Sequence, residues 1–316
     1  MIADELLRAE LARALGAPVT ALERRPSPYR TSFALEEVDV ELGDGRRFAL
    51  VLKHLARSAL HPLARDVKPD FIHDPLREIE VYRDVLDAAE LGTPRFHGAV
   101  PERGWLFLER VRGVELYQVG ARTTWEHVAR WLAAMHERLS SARGRAPRAI
   151  RYDAEWYRRW PQRAVRIAAA RGDQDAVGVL EGIAGGYERV VDRLLALPAT
   201  LIHGEFYAAN VIVDDAERPR RVAPVDWEQV GIGPGLVDLA ALTAGRWSQD
   251  GRRRIAGAYR EAASGELDDA TFARGLEACR LHLALQWLGW SETWSPPAEH
   301  QQDWLAEAGR AAMRLG

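Results

Sequence analysis

Cysteine and lysine are scarce in this chain, and long apolar runs are missing. The single cysteine, Cys279, excludes an internal disulfide and any cysteine-rich metal site. No apolar stretch approaches the roughly 18 residues that a membrane-spanning helix needs. The N-terminal MIADELLRAELARALG is an amphipathic helix pattern of mixed charge rather than a signal peptide. A soluble cytoplasmic protein is the expectation. Neither sign of charge is in excess: 43 basic against 46 acidic residues leave a net charge of −3. That balance gives no electrostatic reason to expect a nucleic-acid partner. Only two of the basic residues are lysines, Lys53 and Lys68, and the other 41 are arginines. A composition that writes arginine wherever any cation serves marks its lysines as places needing a compact, flexible ammonium, and directs attention to Lys53. What remains is ordinary for a globular protein: 316 residues, 47% apolar and 28% charged, enough for one large domain or two lobes.

Residues 19–53 read as β structure. TSFALEEVDVEL alternates apolar and polar from Phe33 to Leu42, Gly43-Asp44-Gly45 is a hairpin turn, and RRFALVLKHL returns with Lys53 near its end. Residues 54–74 are irregular: a lid, a dimer contact or a plain loop. Asp74-Pro75 then opens a helix, with the acid at the N-cap, proline at the first helical position and a stop at Gly92. Two short strands follow, around Phe96–Val100 and Trp105–Arg110. From Thr123 onward helical periodicity dominates, with segments near 152–171, 174–196, 235–246, 250–263, 268–290 and 298–315, interrupted by a β island from LPATLI to VAPVDW. The expectation is an α+β fold, with a small antiparallel β lobe and one helix in residues 1–110, and a larger, mainly helical lobe in 111–316. A cleft between two lobes is a usual place for a small-molecule site.

The chemistry concentrates in the island. HGEFYAAN, residues 203–210, places Glu205 five positions before Asn210, and Asp226 ends a strand sixteen residues beyond that asparagine. An acid to handle a hydroxyl proton, with an asparagine and an aspartate to hold magnesium, is the minimal kit for moving a phosphoryl group. Protein kinases use the same spacing of five from catalytic acid to metal-binding asparagine. Lys53 on a strand and Glu78 on the following helix match the lysine that holds phosphates and the acid that orients it. Glu80 lies two positions on and faces a different side. Singly, each has a plainer reading, as a solvated strand-end cation or an exposed helix acid; together they describe a nucleotide site.

On these residues the chain resembles the aminoglycoside phosphotransferase-like kinases, which share the protein-kinase fold and include choline and other small-molecule kinases. Their histidine-glycine-aspartate, four residues, asparagine pattern is met by His203, Gly204, Glu205 and Asn210, and their metal-binding aspartate by Asp226. The resemblance implies a two-lobed protein-kinase-like fold that uses ATP (or GTP) and Mg2+. It assigns Glu205 and His203 to the catalytic loop, Lys53 and Glu78 to the phosphates, and Asn210 and Asp226 to the metal. Asp238, in GIGPGLVDLAAL, becomes the brace of the catalytic loop, and WLFLERVRG the hinge whose backbone meets adenine near Glu109 to Val111. ARWLAAMHERL resembles the helix that ends in Leu-His. Two positions depart from the pattern. Glutamate stands where the family has aspartate, and the phosphate-covering loop RRPSPYRTSFA contains no glycine, leaving Ser27, Arg30, Thr31 or Ser32 to contribute.

The implied reaction is transfer of a γ-phosphoryl group to a hydroxyl of a small molecule: an aminoglycoside, another glycoside or an amino alcohol. The alternative is a catalytically idle nucleotide-binding protein in which the longer Glu205 cannot reach. GIGPG is not a dinucleotide loop, because it lacks the G-x-G-x-x-G spacing and Pro234 removes an amide that would face phosphate. For the acceptor, the aromatic tail offers Trp290, Glu292 and Trp294 in GWSETWSPP, although most tail tryptophans read as helix packing. Neither nucleic acid nor membrane is expected as a partner, and nothing in the sequence specifies an oligomeric state.

Overall fold

The computed structural model describes residues 2–28, 32–33, 35–265, 267–292 and 302–316. An N-terminal helix, α1 (Asp4–Leu15), leads into β1 (Val19–Pro26), β2 (Leu35–Leu42) and β3 (Arg47–His54). The strand alternation becomes a two-faced sheet. Val38, Val40 and Leu42 of β2 and Leu50 and Leu52 of β3 bury against Leu7, Leu11 and Leu15, the i, i+4 stripe of α1. Period two then fixes Lys53, which must point to the opposite face.

The segment after β3 contains a short helix, α2 (Pro62–Val67), where the sequence predicts only irregular chain. Next comes α3 (Pro75–Val81), which runs through a π turn, Tyr82–Leu86, into the short α4 (Asp87–Ala89). Asp74 caps α3 by accepting from the Leu76 amide at 3.0 Å, with Pro75 at the first position. The left-handed stop falls on Glu90 (φ 50°), two residues before the predicted Gly92. β4 (Phe96–Val100) and β5 (Trp105–Glu109) complete an antiparallel sheet of order β1-β2-β3-β5-β4.

Beyond it lie β6 (Val114–Glu115), α5 (Arg122–Leu139), β7 (Ile150–Arg151), α6 (Ala154–Ala170), α7 (Gln174–Gly185) and α8 (Glu188–Leu195). Sequence periodicity predicts one helix over 174–196; Gly185-Gly186 splits it, two adjacent residues that each cost a helix about 1 kcal/mol. The island supplies β8 (Ala199–Ile202), β9 (Val211–Asp214), β10 (Arg221–Pro224) and β11 (Gly231–Pro234). GIGP is thus itself a strand, antiparallel to β8 and parallel to β7. Four helices finish the chain: α9 (Leu236–Leu242), α10 (Gln249–Ala262), α11 (Asp269–Leu288) and α12 (Trp304–Leu315). One continuous core joins Ile79, Tyr82 and Val85 to Leu201, Phe206, Trp227 and Leu285. The helix carrying Glu78 is therefore packed into the helical region as well as against the sheet. No described helix is long and apolar enough to cross a membrane.

Candidate active site

β8 delivers the chain into His203-Gly204-Glu205, and the loop is held from below. The Asp238 carboxylate, fully buried in the first turn of α9, accepts from the His203 amide at 2.8 Å and the Gly204 amide at 2.9 Å. His136, at the C-terminal end of α5, supplies a third bond from Nε2 at 3.0 Å, and its Nδ1 lies 2.9 Å from the Tyr259 hydroxyl. Gly204 must be glycine. It sits at φ 85°, and a Cβ there would lie 2.3 Å from the Gln229 carbonyl oxygen. Asp238→Asn should turn an NH2 group toward one of the two backbone donors. The expected loss is about 2–3 kcal/mol of unfolding free energy, read from urea titration; an unchanged midpoint would remove Asp238 from its bracing role.

His203, which the sequence pattern places in the loop beside Glu205, bonds the loop backbone. Its ring is buried, Nε2–H donates to the Val225 carbonyl at 2.9 Å, and Nδ1 accepts from the Glu205 amide at 3.2 Å. Burial lowers its pKa and keeps it neutral. Both ring nitrogens are thus bonded to backbone, which holds the loop in place. Asn210 closes the turn. Its amide donates to the Tyr207 carbonyl at 2.8 Å, and its Nδ2 donates to the Glu205 carbonyl at 3.0 Å. Its own carbonyl accepts from Val225 at 2.9 Å, which brings Asp226 alongside. Among the described residues Asn210 Oδ1, the atom a hard cation takes, carries no hydrogen bond.

Lys53 crosses from β3 to meet both acids. Its Nζ lies 2.6 Å from Glu78 and in direct contact with Asp226. Glu78 also accepts from the Trp227 amide at 3.2 Å, so the acid on α3 ties the lysine to the residue after Asp226. Asp226 adopts φ 66°, left-handed and rare for a residue with a side chain, though least costly for Asp and Asn. Burial alone would lower the Lys53 pKa, but Asp226, Glu78 and Glu228 outweigh it and raise it. Burial would raise Asp226, and the Lys53 charge instead brings it below the usual carboxylate range. Glu78 is pushed up by burial, against the pull of Lys53. Glu80 takes another partner, Arg148, at 2.9 Å.

Sequence reasoning missed the other lysine. Lys68, just past α2, is buried and ion-paired with Glu228, two residues beyond Asp226. The signal was present in the scarcity of lysine, which was read only toward Lys53. Lys68 and Glu228 both act on Glu205, whose carboxyl is pushed up by burial and by the charges of Glu228 and Asp226, with Lys68 opposing.

At the expected hinge, the Glu109 side chain holds Arg221 through two 2.7 Å bonds, and its amide donates to the Arg95 carbonyl at 2.9 Å. What Glu109 can offer a ligand is its carbonyl. Val111 is partly exposed just beyond. Ser32 is half-buried, and its carbonyl accepts from His61 at 3.0 Å.

Trp290 stacks on Trp160 (6.2 Å, 2°) and so packs helices; Glu292 is exposed, its carbonyl bonded by Arg171 at 2.8 Å; Trp294 lies outside the described residues. A cavity of about 280 Å³ beside the 203–210 loop is lined by Tyr117, Trp125, Tyr207, Arg246, Trp247 and Trp304, among others. Its floor includes Ala208 and Ala209, between Glu205 and Asn210, and these small side chains leave room that the sequence could have disclosed.

Residues 39–281 match the model of the phosphotransferase enzyme family. No curated protein sequence matches the chain. Solved structures share its fold along nearly its whole length. A choline/ethanolamine kinase family protein from Mesorhizobium loti is 17% identical, with a TM-score of 0.58 over 98% of this chain and 92% of that one. A GDP complex of an aminoglycoside 2'-phosphotransferase-IIIa variant is 12% identical, with a TM-score of 0.60 over 99% and 97%. The ADP-bound aminoglycoside phosphotransferase APH(2'')-Ib is 13% identical, with a TM-score of 0.59 over 99% of each chain. With the family model covering most of the chain and the fold agreeing, the chain belongs to the phosphotransferase enzyme family.

Proposed function

We propose that the protein transfers the γ-phosphoryl group of ATP or GTP, with magnesium, to a hydroxyl of a small molecule. The observation that carries this reading is the buried meeting of Lys53, Glu78 and Asp226 beside Asn210. The donor set suits magnesium: a carboxylate and an amide oxygen, hard ligands few enough to leave room for waters and phosphate oxygens. Magnesium, when bound, neutralises charge on the nucleotide phosphates. Lys53 holds phosphate oxygens, and Glu78 keeps its ammonium in place. The Glu109 carbonyl and the Val111 amide meet the base. Glu205 receives the proton of the attacking hydroxyl and fixes its approach, while Asp238, His203 and His136 keep the loop from moving. Positioning of this kind supplies most of the catalysis in phosphoryl transfer.

The acceptor enters the aromatic cavity beside Ala208 and Ala209. Aromatic walls suit a sugar face or an ammonium group. Arg246 is the only charged side chain lining it among the described residues. Repulsion from that arginine disfavours a polycation, which ranks a neutral glycoside ahead of an aminoglycoside. Calorimetry with ATP and with GTP, each with and without magnesium, tests the nucleotide half. Mass spectrometry of incubations with aminoglycosides, other glycosides and amino alcohols tests the acceptor half. Magnesium-dependent binding and a phosphorylated glycoside are expected; a protein that binds neither nucleotide would end the proposal.

A further inference from the structure

The chain has two lysines, and both ammonium groups converge on one place. Lys53 Nζ lies 5.5 Å and Lys68 Nζ 4.7 Å from the centroid of the same ring, Phe33, at the end of the glycine-free loop. Lys68 arrives from the segment between β3 and α3 and is almost fully buried against Glu228. A fixed buried ion pair is a poor reason for lysine here. Desolvating both charges leaves such a pair no more stabilising than apolar residues of the same volume. Arginine is the better static partner for a carboxylate, since its planar fork bonds both oxygens. The chain uses that solution widely: among the described residues, every ion pair outside these two lysines is made by arginine, except His136 with Asp238. Lysine remains at the two buried positions that pair with Asp226 and Glu228. A flexible point charge is the choice where the partner must change.

We propose that Lys68 is a second phosphate lysine, whose ammonium leaves Glu228 on nucleotide binding and takes an oxygen of the terminal phosphoryl group. The proposal rests on the kinase reading of the cleft. It explains how a phosphate-covering loop without glycine, RRPSPYRTSFA, serves a triphosphate: a side-chain cation from a neighbouring segment stands where closely approaching backbone amides would otherwise be needed. Lys68 also reaches the chemistry electrostatically, since its charge favours the ionised forms of both Glu205 and Asp226.

The test compares Glu228→Gln with Glu228→Gln/Lys68→Met, so that neither variant buries an unpaired carboxylate. Affinities for AMP-PNP and for ADP, each with magnesium, are measured by calorimetry on these and on the native protein. The contact belongs to the terminal phosphate, so removing Lys68 should weaken AMP-PNP by about 10- to 100-fold, the range of a hydrogen bond to a charged group. ADP affinity should stay within about threefold. Equal losses for both nucleotides, or no loss, would make Lys68 a static counter-ion and overturn the proposal. A native protein that binds neither nucleotide would instead fail the kinase reading itself, and the role of Lys68 with it.

Discussion

Asp226→Asn is expected to lower kcat/KM by about 10³-fold or more, and to make nucleotide binding indifferent to magnesium. Charge neutralisation by a bound cation supplies several kcal/mol in such reactions, and each 1.36 kcal/mol is about tenfold in rate. In the proposed site Asp226 anchors that cation together with Asn210. Asparagine is the informative substitution because the residue sits at φ 66°, where Asn is tolerated nearly as well as Asp and alanine would add backbone strain. Lys53 keeps Glu78 at 2.6 Å in the variant, so its ammonium is not left bare. Folding should therefore survive, and a near-native urea midpoint would assign the loss to the metal. If magnesium still strengthened nucleotide binding in the variant, the cation would have to sit on other acids, and the pairing of Asn210 with Asp226 would be wrong.

What was legible in the sequence follows from which physical rule each feature obeys. The face of Lys53 could be read because strand alternation has a period of two and Leu50 and Leu52 fix its phase. Glu78 was separable from Glu80 because two positions along a helix face different sides, and Glu78 falls where the resembled family has its helix acid. Lys68 was not legible as a partner of Glu228. Its segment has no periodicity to set a direction, and its partner lies 160 positions away. The cavity wall was hidden for the same reason. Trp125 and Trp247 stand edge to face at 4.7 Å, yet belong to different elements that only the tertiary fold brings together. Trp290 and Glu292 were preferred because a break in a helix looks like a pocket mouth in sequence. In the structure that segment is anchored from behind, with Arg163 bonding the Gly289 and Trp290 carbonyls at 2.9 and 3.1 Å. The cap at Glu90 was misplaced because glycine is the usual left-handed residue and Gly92 stood close by.

Glu205→Gln is expected to lower kcat by about 10²- to 10⁴-fold, the span of a positioned acid–base group, while magnesium-nucleotide affinity stays within about threefold. The pH dependence gives the role a second signature. Burial pushes the Glu205 carboxyl up to about 8, with Glu228 and Asp226 adding to the shift. Below that value the acid is protonated and cannot take the hydroxyl proton. In the native enzyme kcat/KM should then rise with pH through about 8, and the rise should be absent from the residual activity of Glu205→Gln. Stability must move the opposite way. The folded pKa is raised above the unfolded one, so between about 4.5 and about 8 the unfolded chain binds fewer protons, and native stability falls as pH rises through that window. Glutamine carries no such penalty. The urea midpoint of Glu205→Gln should therefore gain on the native protein as pH climbs from 5 to 8. The two readouts together separate catalyst from idle replacement. An acid that is buried but unable to reach substrate would still give the stability effect, because that depends only on its surroundings. It would leave kcat and its pH profile unchanged. Glu205→Asp completes the argument: a loop fitted to glutamate loses about 1 Å of reach with aspartate, worth on the order of 10²-fold, whereas restored or increased activity would mean that the longer side chain is a hindrance to this site.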